Sequence, residues 1–343
     1  MNRLVILAPN WLGDAVMALP AIADVRRAAP AASISVAARA SVAPLFALVP
    51  AVDDTLVLGD DEVGALASKR FDTALLLPNS TRAAIVTRRA GVPERWGYRT
   101  GWRGSLLTRA IPAPRRIHQI EYYQHLVRAL GFPNDPVEPS VTVSAVARDA
   151  GRSLLMESGW DGRTPLVALA PGAAYGGAKR WPAEYFAELA AGLAGDGVPC
   201  VIVGTAADGA DLRGRVIFRV GTAKNHLSPL DLVGRTDIPT LAGVFANCRA
   251  LVTNDSGAMH LAAAIGISVT ALFGPTDERA TSPRLHLRPR PLPPSPPAGT
   301  EVVTILTHPI WCRPCLLREC PLDHRCMRGI DVATVLEAAR SGL

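Results

Sequence analysis

No uninterrupted apolar run approaches the roughly 20 residues that a membrane-spanning helix needs, so none is expected in this chain of 343 residues. The opening MNRLVILAPNWLGD has only a short apolar stretch, broken by Pro9, Asn10 and Asp14. A secretory signal requires a longer apolar core and a small-residue cleavage site. The segment is therefore expected to form a buried first strand, in a cytoplasmic protein. No GKS or GKT occurs and no GxGxxG, which excludes a Walker A loop and the usual dinucleotide fingerprint. Six cysteines in a chain of this size do not make a secreted disulfide scaffold. Cys200 and Cys248 stand in apolar contexts and are expected in the core.

Positive charge is present, but not as a long block. The formal net charge is +6, arginine supplies most of the cations, and they gather loosely across residues 87–116. Such a cluster suits nucleic acid, an anionic membrane surface or a phosphorylated substrate. A plain solvated face accounts for it equally well.

The length is too great for one ordinary core and suits two domains of about 150 residues. Short β-rich runs alternate with longer amphipathic Ala/Leu stretches: RLVILAP with GDAVMALPAIADVRRAA, SISVAA with SVAPLFALV, DTALLLP with STRAAIVTRRAG. This alternation marks βαβ units on a parallel sheet. FPNDPVEPSV, with three prolines in residues 132–141, is the best linker, and a further helix at residues 145–158 leads into a second βα series. The expected fold is α/β, two Rossmann-like doubly wound domains (residues 1–160 and 161–343) facing an interdomain cleft. Ligands of such sheets bind beyond the carboxyl ends of the strands, where the unusual loops of this chain fall. RPRPLPPSPPAG at residues 288–299 is too proline-rich for a core element and is expected as an exposed loop; GIDVATVLEAARSGL closes the chain as a helix.

Four stretches could carry chemistry. In APNWLGDAVMALPAI, Asp14 falls at the carboxyl end of the first strand and the start of a helix. It could cap that helix or act as a general base taking a proton from a substrate hydroxyl. In APGAAYGGAKRWP, glycines after a strand permit close backbone approach, and Lys179 supplies a cation just before a helix. Helix mouths with a nearby lysine hold phosphates, although an exposed salt-bridging lysine is the plainer alternative. In VTNDSGAMHLAAAIG, Asn254, Asp255 and Ser256 crowd against Gly257 at a helix mouth, with His260 one turn in. A diphosphate would use those donors. Asp255 would repel it, and makes better sense holding a sugar hydroxyl or fixing the loop by accepting backbone N–H bonds.

The fourth stretch, WCRPCLLRECPLDHRCM, holds Cys312, Cys315, Cys320 and Cys326 with His324. A tetrahedral zinc site is conceivable there, but zinc ribbons usually separate two C-x2-C knuckles by a longer loop. The thiols are expected to be reduced and metal-free, in a hook anchored by burial of Trp311, Leu316, Leu317 and Met327.

Taken together, NWLGDAVMALPAI, PGAAYGGAKRWP, the long run LVGRTDIPTLAGVFANCRALVTNDSGAMHLAAAIGISVTALFGPTD and CRPCLLRECPLDHRCM resemble the ADP-heptose:lipopolysaccharide heptosyltransferases of glycosyltransferase family 9. The resemblance runs from about residue 4 to about residue 335 in the same order and spacing. The first and last motifs are most like the type II branch. The resemblance implies a GT-B fold and inverting transfer of L-glycero-D-manno-heptose from ADP-heptose to the first heptose of the lipopolysaccharide inner core. It implies no cofactor and no metal. Asp14 matches the family's base, and Lys179 matches the lysine on the donor phosphates. Asp255 with the Ser256–Gly257 amides matches the donor loop, and Asp208 an acidic contact to the nucleoside. Gly13, Asn254 and His260 complete the expected donor set. Arg99 and Arg103, in the basic stretch, are expected to pair with the anionic acceptor. The implied partners are ADP-heptose and the lipopolysaccharide inner core, with peripheral contact at the cytoplasmic face of the inner membrane and no nucleic acid.

The chain departs from some relatives in having Ala173, Ala174 and Tyr175 where hydroxyl side chains precede the lysine, so phosphate contacts there would come from backbone. The proline-rich stretch also looks longer than usual. Two rivals remain: another GT-B glycosyltransferase with a different donor or acceptor, since fold does not choose the sugar, and a non-catalytic nucleotide- or nucleic-acid-binding protein. The second predicts no role for Asp14 and an affinity for polyanions that falls steeply with salt.

Overall fold

The computed structural model describes residues 1–133, 135, 138–209, 228–284 and 303–343. It divides into two compact units, Met1–Thr142 and Val143–Leu343. The division follows directly on the proline-rich linker. The expected loop at residues 288–299 lies outside the described residues.

The first unit holds six parallel strands: β1 (Arg3–Leu7), β2 (Ser33–Arg39), β3 (Asp54–Leu58), β4 (Thr73–Leu76), β5 (Glu94–Arg99) and β6 (Arg109–Pro112). Their order is β3-β2-β1-β4-β5-β6, so the order of strand addition, not the strand direction, reverses between β1 and β4. Parallel strands covered by helices on both faces read as continuous apolar runs, as the buried Leu4 to Leu7 of β1 do. Val5, Leu7, Ala74, Leu76, Ala84 and Val86 belong to one core between sheet and helices.

The second unit repeats the plan with β7 (Val167–Ala170), β8 (Cys200–Ile202), β9 (Leu230–Asp231), β10 (Ala250–Asn254), β11 (Ser268–Phe273) and β12 (Val303–Thr307). Its order is β12-β11-β10-β7-β8-β9, with the reversal between β7 and β10. Both are the doubly wound order, whose ligand crevice opens beyond the strand ends at the reversal. Trp181, Phe186, Leu189, Val252 and Leu272 form the core with Met327, Ile330 and Val335 from the chain's end. Cys200 and Cys248 are buried as expected, and burial pushes the Cys200 thiol up to about 12. Among the described residues, no helix is long and apolar enough to cross a membrane.

The boundary differs from the expected one at residue 160. The helix Ala145–Glu157, whose N-cap Ser144 accepts a hydrogen bond from the Ala147 amide, belongs to the second unit. It packs on the helix Ile238–Phe245 with almost no side chain between them. A Cβ on Gly243 would lie 1.8 Å from the Ala147 carbonyl oxygen, and one on Gly151 2.2 Å from the carbonyl carbon of Gly243. Two glycines at facing positions let the backbones touch, a signal that hydrophobic periodicity does not carry. Gly243→Ala is expected to force the helices apart and cost about 1–3 kcal/mol. Thermal denaturation should show a fall of about 3–10 °C.

Candidate active site

The reversal point of the second sheet gathers the ends of β7 and β10, and Asn254 ties them together. Its Oδ1 accepts from the Trp181 amide at 3.0 Å, and its Nδ2 donates to the Pro171 carbonyl at 2.6 Å. Asn254 is fully buried, so its amide fastens both ends of the lysine loop and is not presented to a ligand. That corrects the expectation of direct donor contact: the loop leaving β7 needs partners for its backbone, and Asn254 supplies them.

The loop carries Lys179 to Asp255. Lys179 Nζ lies 2.6 Å from Asp255 Oδ2, and the Thr276 hydroxyl donates to that same oxygen at 2.6 Å. The pair is largely sheltered, at 12% and 6% side-chain exposure, so it is not the exposed salt bridge of the plainer alternative. Lys179 Nζ also sits 4.7 Å from the ring centroid of Tyr175, a cation–π contact. Asp255 therefore holds the loop through the Lys179 ammonium and the Thr276 hydroxyl, and not through the backbone N–H bonds expected of it. Thr276, just beyond the end of β11, went unnoticed in the sequence. The signal available was GPTD after a third strand of the same sheet, at the same carboxyl edge.

Ser256 is the N-cap residue of the helix Gly257–Ile265, but its side chain makes no capping bond to that helix. Its hydroxyl lies 3.1 Å from Thr253 Oγ1 instead. The first-turn amides, Gly257 onwards, thus have no side-chain cap from Ser256, and the helix dipole directs positive potential at the same place. His260 is buried one turn in. Asp208 is brought to the neighbouring strand end, within the turn Ala206–Asp208. One oxygen accepts from Arg180 at 2.9 Å; the other accepts from the Thr205 amide and hydroxyl. Its carboxylate is the acid of a capping box and the partner of Arg180.

The cysteine-rich segment lies on this lysine loop. The Ala178 amide donates to the Arg318 carbonyl at 2.9 Å, the Gly177 amide to Glu319 Oε1 at 3.0 Å, and the Tyr175 hydroxyl to the Leu316 carbonyl at 2.8 Å. Gly176 has to be glycine, because a Cβ there would lie 2.2 Å from the Arg318 carbonyl oxygen. Cys312, Cys315, Cys320 and Cys326 are free thiols that line one small pocket with Ala178 and Pro275. Burial raises the Cys326 thiol, and the other three reinforce the shift. Trp311, Leu316 and Leu317 are exposed, so Met327 and Cys326, rather than all four expected apolar residues, anchor the hook. Among the described residues, no set of three ligating side chains is arranged to hold a metal ion.

In the first unit, Gly13 and Asp14 occupy the first turn of the helix Leu12–Met17, which leaves β1 at the reversal point. The N-cap residue is Trp11, so Asp14 stands inside the helix and is not its N-cap. The neighbouring Tyr123 hydroxyl is pushed up by burial and further by the charge on Asp14.

Arg99 and Arg103 part company. Arg99, the last residue of β5, is exposed, with its alkyl stem against Gly104. Arg103 is fully buried, and its Nη1 donates to the carbonyls of Pro78 and Ser80. This corrects the expectation that Arg103 faces an acceptor. The chain leaving β4 leaves carbonyls without strand partners, and a guanidinium is long enough to reach two of them. Burial lowers the Arg103 pKa, and its Nε and Nη2 have no hydrogen-bond partner among the described residues. Arg103→Ala should strip those carbonyls of their donors at a cost of about 1–3 kcal/mol. The expected result is a lower melting temperature with no selective effect on acceptor KM.

The comparisons with known proteins agree with this geometry. The family model described as glycosyltransferase family 9 (heptosyltransferase) matches residues 63–325, a span that includes Lys179, Asp255 and most of the cysteine-rich segment. Lipopolysaccharide heptosyltransferase 2 of Salmonella typhimurium is 31% identical over 306 residues, covering 83% of this chain and 86% of that protein. Its Escherichia coli K12 namesake is 30% identical over 308 residues, with the same coverage. Among solved structures, E. coli ADP-heptose lps heptosyltransferase II superposes with a TM-score of 0.81 at 28% identity, covering 100% of this chain and 98% of that one. The two parallel six-stranded sheets match the GT-B architecture of such enzymes. The chain belongs to glycosyltransferase family 9 and is a heptosyltransferase.

Proposed function

We propose that this enzyme transfers L-glycero-D-manno-heptose from ADP-heptose, with inversion, to the first heptose of the lipopolysaccharide inner core. The observation that carries the donor half is the meeting of Lys179, Asp255 and the Gly257–Ile265 helix mouth at the reversal point of the second sheet. A diphosphate there would be held by backbone amides and the helix dipole, with Lys179 as the adjacent cation. Asp14 takes the proton of the attacking acceptor hydroxyl as a new bond forms to the anomeric carbon. The bond from that carbon to the diphosphate breaks, and ADP leaves with the electron pair. Charge building on ADP is met by donors already in place, the most effective form of electrostatic assistance. The second unit is thus the donor side, and the first, with Asp14, the acceptor side.

The acceptor is anionic and lipid-borne, so the enzyme works as a peripheral protein at the cytoplasmic face of the inner membrane. Arg99, exposed at the end of β5, is the arginine suited to pair with it. Incubating the purified protein with ADP-heptose and a mono-heptosylated core acceptor, followed by mass spectrometry, tests the whole proposal. The expected result is one added heptose. Transfer from a UDP- or GDP-sugar but not from ADP-heptose would sink the donor assignment, and transfer onto heptose-free core would sink the acceptor.

A further inference from the structure

We infer that Arg318 is a second cation for the donor diphosphate, carried to the site by the cysteine-rich segment. This rests on the proposed donor site. Its starting point is the charge around the lysine loop. Lys179 is paired with Asp255 at 2.6 Å, Arg180 with Asp208 at 2.9 Å and Arg313 with Glu278 at 2.8 Å. Each of those pairs sums to no net charge, so none alone offers a multiply charged diphosphate a surplus cation. Arg318 is different. It is exposed and no carboxylate among the described residues pairs with it, although the neighbouring Glu319 carboxylate lies on the same loop, accepting from the Gly177 amide at 3.0 Å.

Its position is set by the loop itself. The Arg318 carbonyl accepts from the Ala178 amide at 2.9 Å, one residue from Lys179. Its guanidinium lies 5.4 Å from the centroid of Tyr175, the same ring that Lys179 Nζ approaches at 4.7 Å. Stacking on an aromatic face costs a guanidinium little, since it is weakly hydrated. No described residue accepts a hydrogen bond from that guanidinium, so its donors are left for phosphate oxygens. Lys179 must share itself between phosphate and Asp255, whereas Arg318 gives up only water. The hook of four thiols then has a purpose beyond packing: it holds the backbone of Arg318 against the lysine loop.

Calorimetric titration of ADP and of adenosine into wild type, Arg318→Ala and Arg318→Lys, each at low and moderate salt, tests this. Arg318→Ala should weaken ADP by about tenfold or more, leave adenosine unchanged, and flatten the salt dependence of ADP binding. Arg318→Lys should recover part of the loss, and neither variant should melt earlier, because the side chain is exposed. Equal ADP affinity in wild type and Arg318→Ala would overturn the inference but leave the donor site standing. A parallel loss for ADP and adenosine would also overturn it, showing that Arg318 acts through the fold of the loop. Failure of the wild type to bind ADP would overturn the donor site itself, and Arg318 with it.

Discussion

Asp14→Asn should lower kcat by roughly a hundredfold or more while leaving the melting temperature nearly unchanged. The substitution preserves size and shape but removes the charge that accepts a proton, and general bases contribute about 10²–10⁴ in rate. Asp14 lies within the first turn of the Leu12–Met17 helix and is not its N-cap, so no capping bond is lost by replacing it. Part of what disappears is the favourable interaction of a carboxylate with the helix dipole, about 0.3–1 kcal/mol. The rate loss should fall on kcat and not on donor KM, because the proposed role of the Asp14 carboxylate is to take a proton from the acceptor hydroxyl and not to hold the donor. Steady-state kinetics with both substrates varied, alongside a thermal melt, checks this. Near-wild-type turnover would remove Asp14 from the chemistry.

Much of the fold was legible because parallel α/β units write their strands as short apolar runs and their helices as longer amphipathic ones. The strands β1, β2 and β4 of the first sheet follow from that alternation, whereas β3, β5 and β6 do not stand out in it. Less legible was what each polar side chain would do once there. Asn254 and Asp255 are adjacent and chemically alike in sequence, yet Asn254 is spent on backbone groups of the loop while Asp255 holds a cation. Arg99 and Arg103 are four residues apart in one basic stretch, yet only Arg99 is at the surface. Such choices depend on which carbonyls the strands leave without partners, and that is set by register between distant segments. The helix Ala145–Glu157 went to the other unit for a similar reason, since Gly151 and Gly243 recognise each other only across space.

Lys179→Ala should slow transfer by about a hundredfold and also lower the melting temperature, and the two losses have different origins. The rate falls because a cation next to the departing diphosphate is gone. Stability falls because Asp255, at 6% exposure, is left buried with the Thr276 hydroxyl but no cation. An uncompensated buried carboxylate is costly. The double variant Lys179→Ala, Asp255→Asn removes that orphaned charge, so it should melt closer to wild type than Lys179→Ala does. Its activity should stay low, since no cation has returned. On the proposed division of labour, Lys179 and the helix amides take up the leaving-group charge without Mg²⁺, so wild-type turnover should survive EDTA. Strict dependence on a divalent ion would contradict that division of labour. Recovery of activity together with stability in the double variant would show that Lys179 serves the fold of its loop, and not the diphosphate.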